Sequence, residues 1–183
     1  MSKYISVNND RFELYIPEKK IEARVKKLGQ IISRRYKNRV PIFIGILNGS
    51  FIFMSDLIRF VDIECEIDFI KLSSYGDAKI SSGNVRMLKD LNCQVEGRDI
   101  IIVEDIVDSG LSIDFIMRLI KEHQPSSCKV VSLLYKKEAI KIDVQIDYIG
   151  FTIPNYFVIG YGMDHSQKVR NLRSIYRLVN IHG

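Results

Sequence analysis

One stretch near the middle of the chain restricts the fold more than any other. Ile100-Ile101-Ile102-Val103-Glu104-Asp105-Ile106-Val107-Asp108-Ser109-Gly110-Leu111-Ser112 passes from an unbroken apolar run into two adjacent carboxylates. Asp-Ser-Gly-x-Ser follows, and then Ile113, Ile116, Leu119 and Ile120 repeat at helical spacing. A run with no polar alternation, here Asp99 to Val103, reads as a strand covered on both faces, which is the condition of a parallel sheet with helices on each side. Strand, tight turn and amphipathic helix in that order form half of a β-α-β unit.

The same alternation recurs along the chain. A short extended segment, Phe12 to Ile16, leads to Pro17 at the start of a helix whose apolar face is Ile21, Val25, Leu28 and Ile32. Val40 to Leu47 is a second apolar strand, followed by a helical stripe of Met54, Leu57, Ile58 and Val61. Ile63, Cys65, Ile67 and Phe69 alternate with Glu64, Glu66 and Asp68, which predicts a strand with one wet face. Gly76 and Gly83 bracket a small, polar, mobile loop, with Asn84 to Leu88 returning from it. Cys128 to Tyr135, Tyr148 to Ile153 and Phe157 to Tyr161 read as further strands. The expectation is an α/β protein with a mostly parallel central sheet flanked by helices.

Length and charge narrow the function classes. At 183 residues and 46% hydrophobic the chain suits one globular domain, neither disordered nor fibrous. No apolar run reaches the ~18–20 residues of a membrane span, and Met1 to Asp10 has no apolar core of a secretory signal. Cys65, Cys93 and Cys128 are odd in number and widely spaced, which fits neither a disulfide framework nor a metal knuckle and points to the reducing cytoplasm. The net charge of +5 is concentrated between Lys19 and Arg39, where it reads as the solvated outer face of a helix rather than a nucleic-acid site. His123, His165 and His182 form no zinc-like pattern.

The chemistry lies where the strand of the central stretch ends, since ligands of such sheets collect at the carboxyl ends of strands. Gly110 permits a tight turn, and the amides entering the next helix form an anion nest at its positive end. Ser109 and Ser112 add hydroxyl donors, so the loop suits one phosphate group. Glu104 and Asp105 repel phosphate but suit sugar hydroxyls, or Mg²⁺ through water. Phosphate donors beside hydroxyl acceptors imply a phosphorylated ribose.

The hydrophobic–Glu-Asp–two hydrophobics–Asp-Ser-Gly-x-Ser pattern resembles the phosphoribosyl pyrophosphate (PRPP) motif of the type I phosphoribosyltransferases, and more narrowly of the hypoxanthine-guanine phosphoribosyltransferases. The resemblance runs from about Phe12 to Arg170 through several motifs in the expected order. It implies one domain over residues 1–183, with a small base-binding hood made by the N-terminal segment and about residues 150–183. Glu104, Asp105, Asp108, Ser109, Gly110, Leu111 and Ser112 would hold the 5′-phosphate and ribose. Asn48-Gly49-Ser50, with Arg170, would hold pyrophosphate; many members have Lys where this chain has Asn48. Ser74-Tyr75 resembles the lid pair that closes over the reacting centre.

In the purine pocket Lys136 would donate to the 6-oxo group, Phe157 would stack on the base and the Val158 backbone would read its edge. Asp164 would line that pocket and hold a second Mg²⁺, the first lying with Glu104 and Asp105. Asp108 is the expected general acid/base at N7. The implied reaction is Mg²⁺-dependent transfer of phosphoribosyl from PRPP to N9 of hypoxanthine or guanine, giving a purine nucleotide and pyrophosphate in a homodimer or homotetramer. An RNA-binding pyrimidine-pathway regulator of the same fold is the alternative.

Overall fold

The structure is a computed structural model that describes residues 3–74, 85–89 and 91–179. Tyr75 and the loop between Gly76 and Gly83 lie outside the described residues; Ser74 is described as the last residue of its strand. Among the described residues ten strands and three α-helices follow in chain order: β1 (Tyr4–Val7), β2 (Asp10–Ile16), α1 (Glu18–Arg35), β3 (Ile42–Leu47), α2 (Phe51–Arg59), β4 (Glu66–Ser74), β5 (Val85–Lys89), β6 (Asp99–Val107), α3 (Leu111–Glu122), β7 (Ser127–Tyr135), β8 (Tyr148–Thr152), β9 (Val158–Ile159) and β10 (Ile175–Leu178).

The central sheet has the order β5-β4-β3-β6-β7-β8, parallel except for the antiparallel edge strand β5. β6 lies inside it, paired with β3 and β7. Its alternate side chains feed two separate cores. Ile101 and Val103 pack with α1 and α2, while Ile100 and Ile102 pack with α3. This is the double coverage that the unbroken apolar run requires. A second, antiparallel sheet of order β1-β2-β10-β9 joins both ends of the chain and buries Phe12, Ile159 and Tyr176 between its strands. Among the described residues no helix is long and apolar enough to cross a membrane.

Several expectations need correction. The opening segment is a hairpin rather than a lone strand, turned by Asn8 and Asn9 at φ 50° and 71°, the left-handed pair that two-residue hairpin turns favour. β6 continues past its carboxylates to Val107, because Ile106 and Val107 still pair with Leu134 and Tyr135. β4 starts at Glu66, where its parallel partner β3 starts, and the expected alternation fails at two positions while Glu66 stays exposed and Phe69 packs on the core. Ile67 is 49% exposed and Asp68 only 7%. Arg24 is not part of a solvated face; its guanidinium donates to the Gly150 and Ile149 carbonyls and fastens α1 to β8.

Asp68 tolerates burial because it is fully engaged. Its carboxylate accepts from Lys89 Nζ at 3.0 Å and from the amides of Phe69, Asn92 and Cys93. Burial alone would raise its pKa, but Lys89 and the three amides outweigh it and hold the group at about 2. A lowered native pKa means stability that is complete above the ordinary value of 3.8 and lost as the pH falls through about 2. Asp68→Ala should therefore cost about 2–4 kcal/mol in urea unfolding at pH 7. The wild-type advantage should shrink across that acid window; a pH-independent difference would contradict the assignment.

Candidate active site

The carboxyl ends of β3, β6 and β7 converge with the second sheet on one cleft. Asp105, Ile106, Asp108, Lys136, Phe157, Val158, Met163 and Asp164 line a volume of about 200 Å³ there. Each wall follows from local structure. After β6, Gly110 stands at φ 84°, and a side chain there would press on the Ile142 carbonyl and Val144. The Ser109 carbonyl accepts from the Lys141 and Ile142 amides, which backs the turn from behind. α3 then starts at Leu111 with its first amides, including that of Ser112, at the mouth of the loop. Asp108 is the exposed residue of this turn.

β7 delivers Lys136, which is 7% exposed, while its neighbour Lys137 is on the surface. The Lys136 ammonium donates to Asp108 Oδ2 at 2.9 Å. Phe157 stands at the rim of the cleft with 46% of its surface exposed, so it is not a core residue. Its ring meets His165 edge-on at 5.6 Å and Phe12 at 6.1 Å. His165 Nε2 in turn pairs with Asp10 Oδ2 at 3.0 Å, which ties the N-terminal hairpin to the cleft. Sequence reading missed the Asp10–His165 pair, and no local signal joins residues 155 apart.

On the other side, the loop between β3 and α2 comes directly against Asp105. A side chain at Gly49 would overlap the Asp105 carboxylate, so glycine is required there. The Leu47–Asn48 peptide is cis. Ser50 is fully buried, and its amide and hydroxyl both donate back to the Ile46 carbonyl, at 3.3 and 2.6 Å, which makes it a brace for the turn. Arg170 reaches Asp164 Oδ1 at 2.6 Å and the Gly162 carbonyl at 2.8 Å. Asp164 Oδ2 accepts from the Gln167 amide. Among the described residues, Asn48–Ser50, the β6 end with its turn, Lys136 and the stretch from Phe157 to Arg170 thus come together, four separate segments.

The two β6 carboxylates are the electrostatic centre. Burial pushes Glu104 well above the ordinary carboxylate range, and the Asp105 charge adds to it. Burial also raises Asp105, to about 6, although the Asp105 and Ile106 amides and the Arg170 charge pull the other way. Glu104 Oε2 is shielded from solvent and has no hydrogen-bond partner. Such an orphan oxygen is costly unless a ligand satisfies it. Among the described residues no three carboxylate, histidine or cysteine side chains gather into a metal cage. Mg²⁺ rarely uses one, however; it takes one or two carboxylates and completes its shell with water and substrate phosphates. Glu104 with Asp105 would suit that donor set at one ion, and Asp164 by itself at a second.

A native pKa above the ordinary 4.5 makes Glu104 stabilising only below that value and destabilising as the pH rises through the native pKa. Glu104→Gln should raise stability at pH 7 by about 1–2 kcal/mol. The gain should vanish below pH 4.5, which thermal melts at several pH values would measure. An equal gain at every pH would refute the desolvation argument.

Comparison with known proteins places this geometry in a family. The phosphoribosyl transferase domain matches residues 15–166. The hypoxanthine-guanine phosphoribosyltransferase of Bacillus subtilis (strain 168) is 42% identical over 166 residues, covering 91% of this chain and 92% of that one. A bifunctional TilS/HprT protein of Listeria monocytogenes is 41% identical over 167 residues, but there the chain spans only 26% of the relative's length. The crystal structure of a hypoxanthine-guanine phosphoribosyltransferase from Bacillus anthracis superposes with a TM-score of 0.88 at 40% identity, over 91% of this chain and 98% of that one. The chain belongs to the phosphoribosyltransferase family, among its hypoxanthine and hypoxanthine-guanine phosphoribosyltransferases.

Proposed function

We propose that the protein is a purine-salvage enzyme that transfers 5-phosphoribosyl from PRPP to N9 of a 6-oxopurine, hypoxanthine or guanine, releasing pyrophosphate. The observation that carries this reading is the Lys136–Asp108 pair, a cation and a carboxylate 2.9 Å apart at the inner end of the cleft. A 6-oxopurine presents N7 and O6 side by side on one edge. Lys136 suits the O6 acceptor and would meet a 6-amino donor badly. Asp108 is then beside N7, where it holds or gives up the proton as the glycosidic bond forms. Phe157, exposed at the rim, offers its face to the base, with the buried Val158 behind it and the terminal sheet acting as the hood.

The rest of the machinery binds and orients. The Asp108–Ser112 turn, with Ser109, Gly110 and Leu111, grips the 5′-phosphate at the α3 N-terminus. Glu104 and Asp105 take the ribose hydroxyls. Asn48 and Gly49, held by Ser50, face pyrophosphate together with Arg170. Ser74 carries the chain towards Tyr75, and we assign this pair to the lid that excludes water. Glu104, Asp105 and Asp164 would hold Mg²⁺, which when bound neutralises charge gathering on pyrophosphate. The three free cysteines favour a reducing cytoplasm, and the family resemblance favours a homodimer or homotetramer. The RNA-binding regulator is not supported: the relatives and structure named above are phosphoribosyltransferases of purines or fusions that contain one.

Purified protein with PRPP and Mg²⁺ should form nucleotide from hypoxanthine or guanine and not from adenine or uracil; turnover of adenine alone would overturn the base pocket. Asp108→Asn should bind PRPP normally yet lose about 10²–10⁴ in kcat. Lys136→Ala should raise KM for the 6-oxopurine without changing PRPP affinity, and unchanged purine kinetics would remove Lys136 from the pocket.

A further inference from the structure

We propose that Tyr161 and Asp56 form a positioning brace that sets the width of the PRPP-binding half of the cleft. The proposal rests on the reading above, in which pyrophosphate lies between the Asn48–Ser50 loop and Arg170. Neither residue lines that cleft. Tyr161 is buried, and its hydroxyl donates to Asp56 Oδ2 at 2.6 Å across 105 residues of sequence. Asp56 belongs to α2, the helix that begins directly after Ser50. The bond therefore joins the segment carrying Asp164 and Arg170 to the element that follows the pyrophosphate loop.

The backbone around Tyr161 explains why a brace is needed. Gly160, Tyr161 and Gly162 are consecutive left-handed residues at φ 91°, 51° and 99°. For Tyr161, which has a Cβ, this conformation is unfavourable and persists only where its surroundings over-determine it. The run presses Gly162 onto the Gly49 carbonyl so closely that a Cβ at Gly162 would overlap it. The Gly162 amide donates to the Arg170 carbonyl at 2.9 Å, and the Arg170 guanidinium returns a bond to the Gly162 carbonyl at 2.8 Å. Arg170 then holds Asp164. A shift of Tyr161 towards ordinary φ would move Gly162 off Gly49 and carry Arg170 and Asp164 with it. A short hydrogen bond from a phenol to a carboxylate is among the stronger neutral-to-ionic contacts, and it is the side-chain anchor of this run.

Steady-state kinetics, melting temperature and calorimetric affinity for pyrophosphate, measured on the full chain, test the brace. Tyr161→Phe keeps the ring and removes the anchor. It should raise KM for PRPP and Kd for pyrophosphate about fivefold to tenfold, only part of what one hydrogen bond to a charged group is worth, and leave KM for hypoxanthine unchanged. Asp56→Ala should do the same, Asp56→Asn should restore PRPP affinity because it keeps an acceptor oxygen, and the double variant Tyr161→Phe/Asp56→Ala should be no worse than either single one. A fall in melting temperature with no PRPP-selective change, or a parallel rise in both KM values, overturns the proposal. Should Tyr161→Phe fail to fold, the Asp56→Ala and Asp56→Asn pair carries the same comparison. Arg170→Ala separates the two levels: if it leaves PRPP affinity intact, the site reading itself fails, whereas a PRPP defect in Arg170→Ala without one in Tyr161→Phe removes only the brace.

Discussion

Two carboxylates taken out of water at the end of β6 are the constraint around which the structure is arranged. Glu104 and Asp105 sit on an interior strand of the central sheet, and burial raises both above the ordinary carboxylate range. Desolvated acids of this kind reduce stability, so the strand that carries them must be held by other means. β6 provides them: it pairs with a neighbour on each side and has an apolar core on each face. Gly49 lets the loop between β3 and α2 reach Asp105 because no side chain intervenes. The orphan Glu104 oxygen then marks where a ligand must complete what the protein leaves unsatisfied.

The second sheet closes the site from above by contacts that span almost the whole chain. Asp10 pairs with His165, Arg173 with Glu18, and the Glu18 amide with the Ser174 hydroxyl. Phe157 stands at the cleft directly before β9, and Gly160, Tyr161 and Gly162 turn left-handed directly after it. Phe157 and Arg170 lie on one stretch near the C-terminus and Lys136 at the end of β7, each fixed by its own backbone geometry.

The contiguous motif was legible because its chemistry is local. A strand, two acids, Asp-Ser-Gly-x-Ser and a helix place their groups by local backbone geometry; the turn and α3 stand where the sequence puts them, and β6 runs on through the two acids to Val107. Alternation in β4 misled, since hydrophobic patterning presumes that acids face water. Asp68 faces inward because Lys89 and three amides meet it there, and Ile67 is left outside. Arg24 escaped notice for the same reason: its partners are backbone carbonyls of β8, which carry no residue identity.

The sequence by itself determined the α/β order, the Asp-Ser-Gly-x-Ser turn and the residue types that we assign to a phosphoribosyl donor and a purine. It did so because turns, helix starts and buried runs are written within a few residues of one another. Tertiary structure alone decided that nearly half of the Phe157 surface stands open at the cleft and that Ser50 turns inward. It also decided the joining of Tyr161 to Asp56 and of Asp10 to His165. Those outcomes depend on packing and hydrogen bonds between segments far apart in the chain, where the partner is chosen by the fold and not by any neighbouring residue.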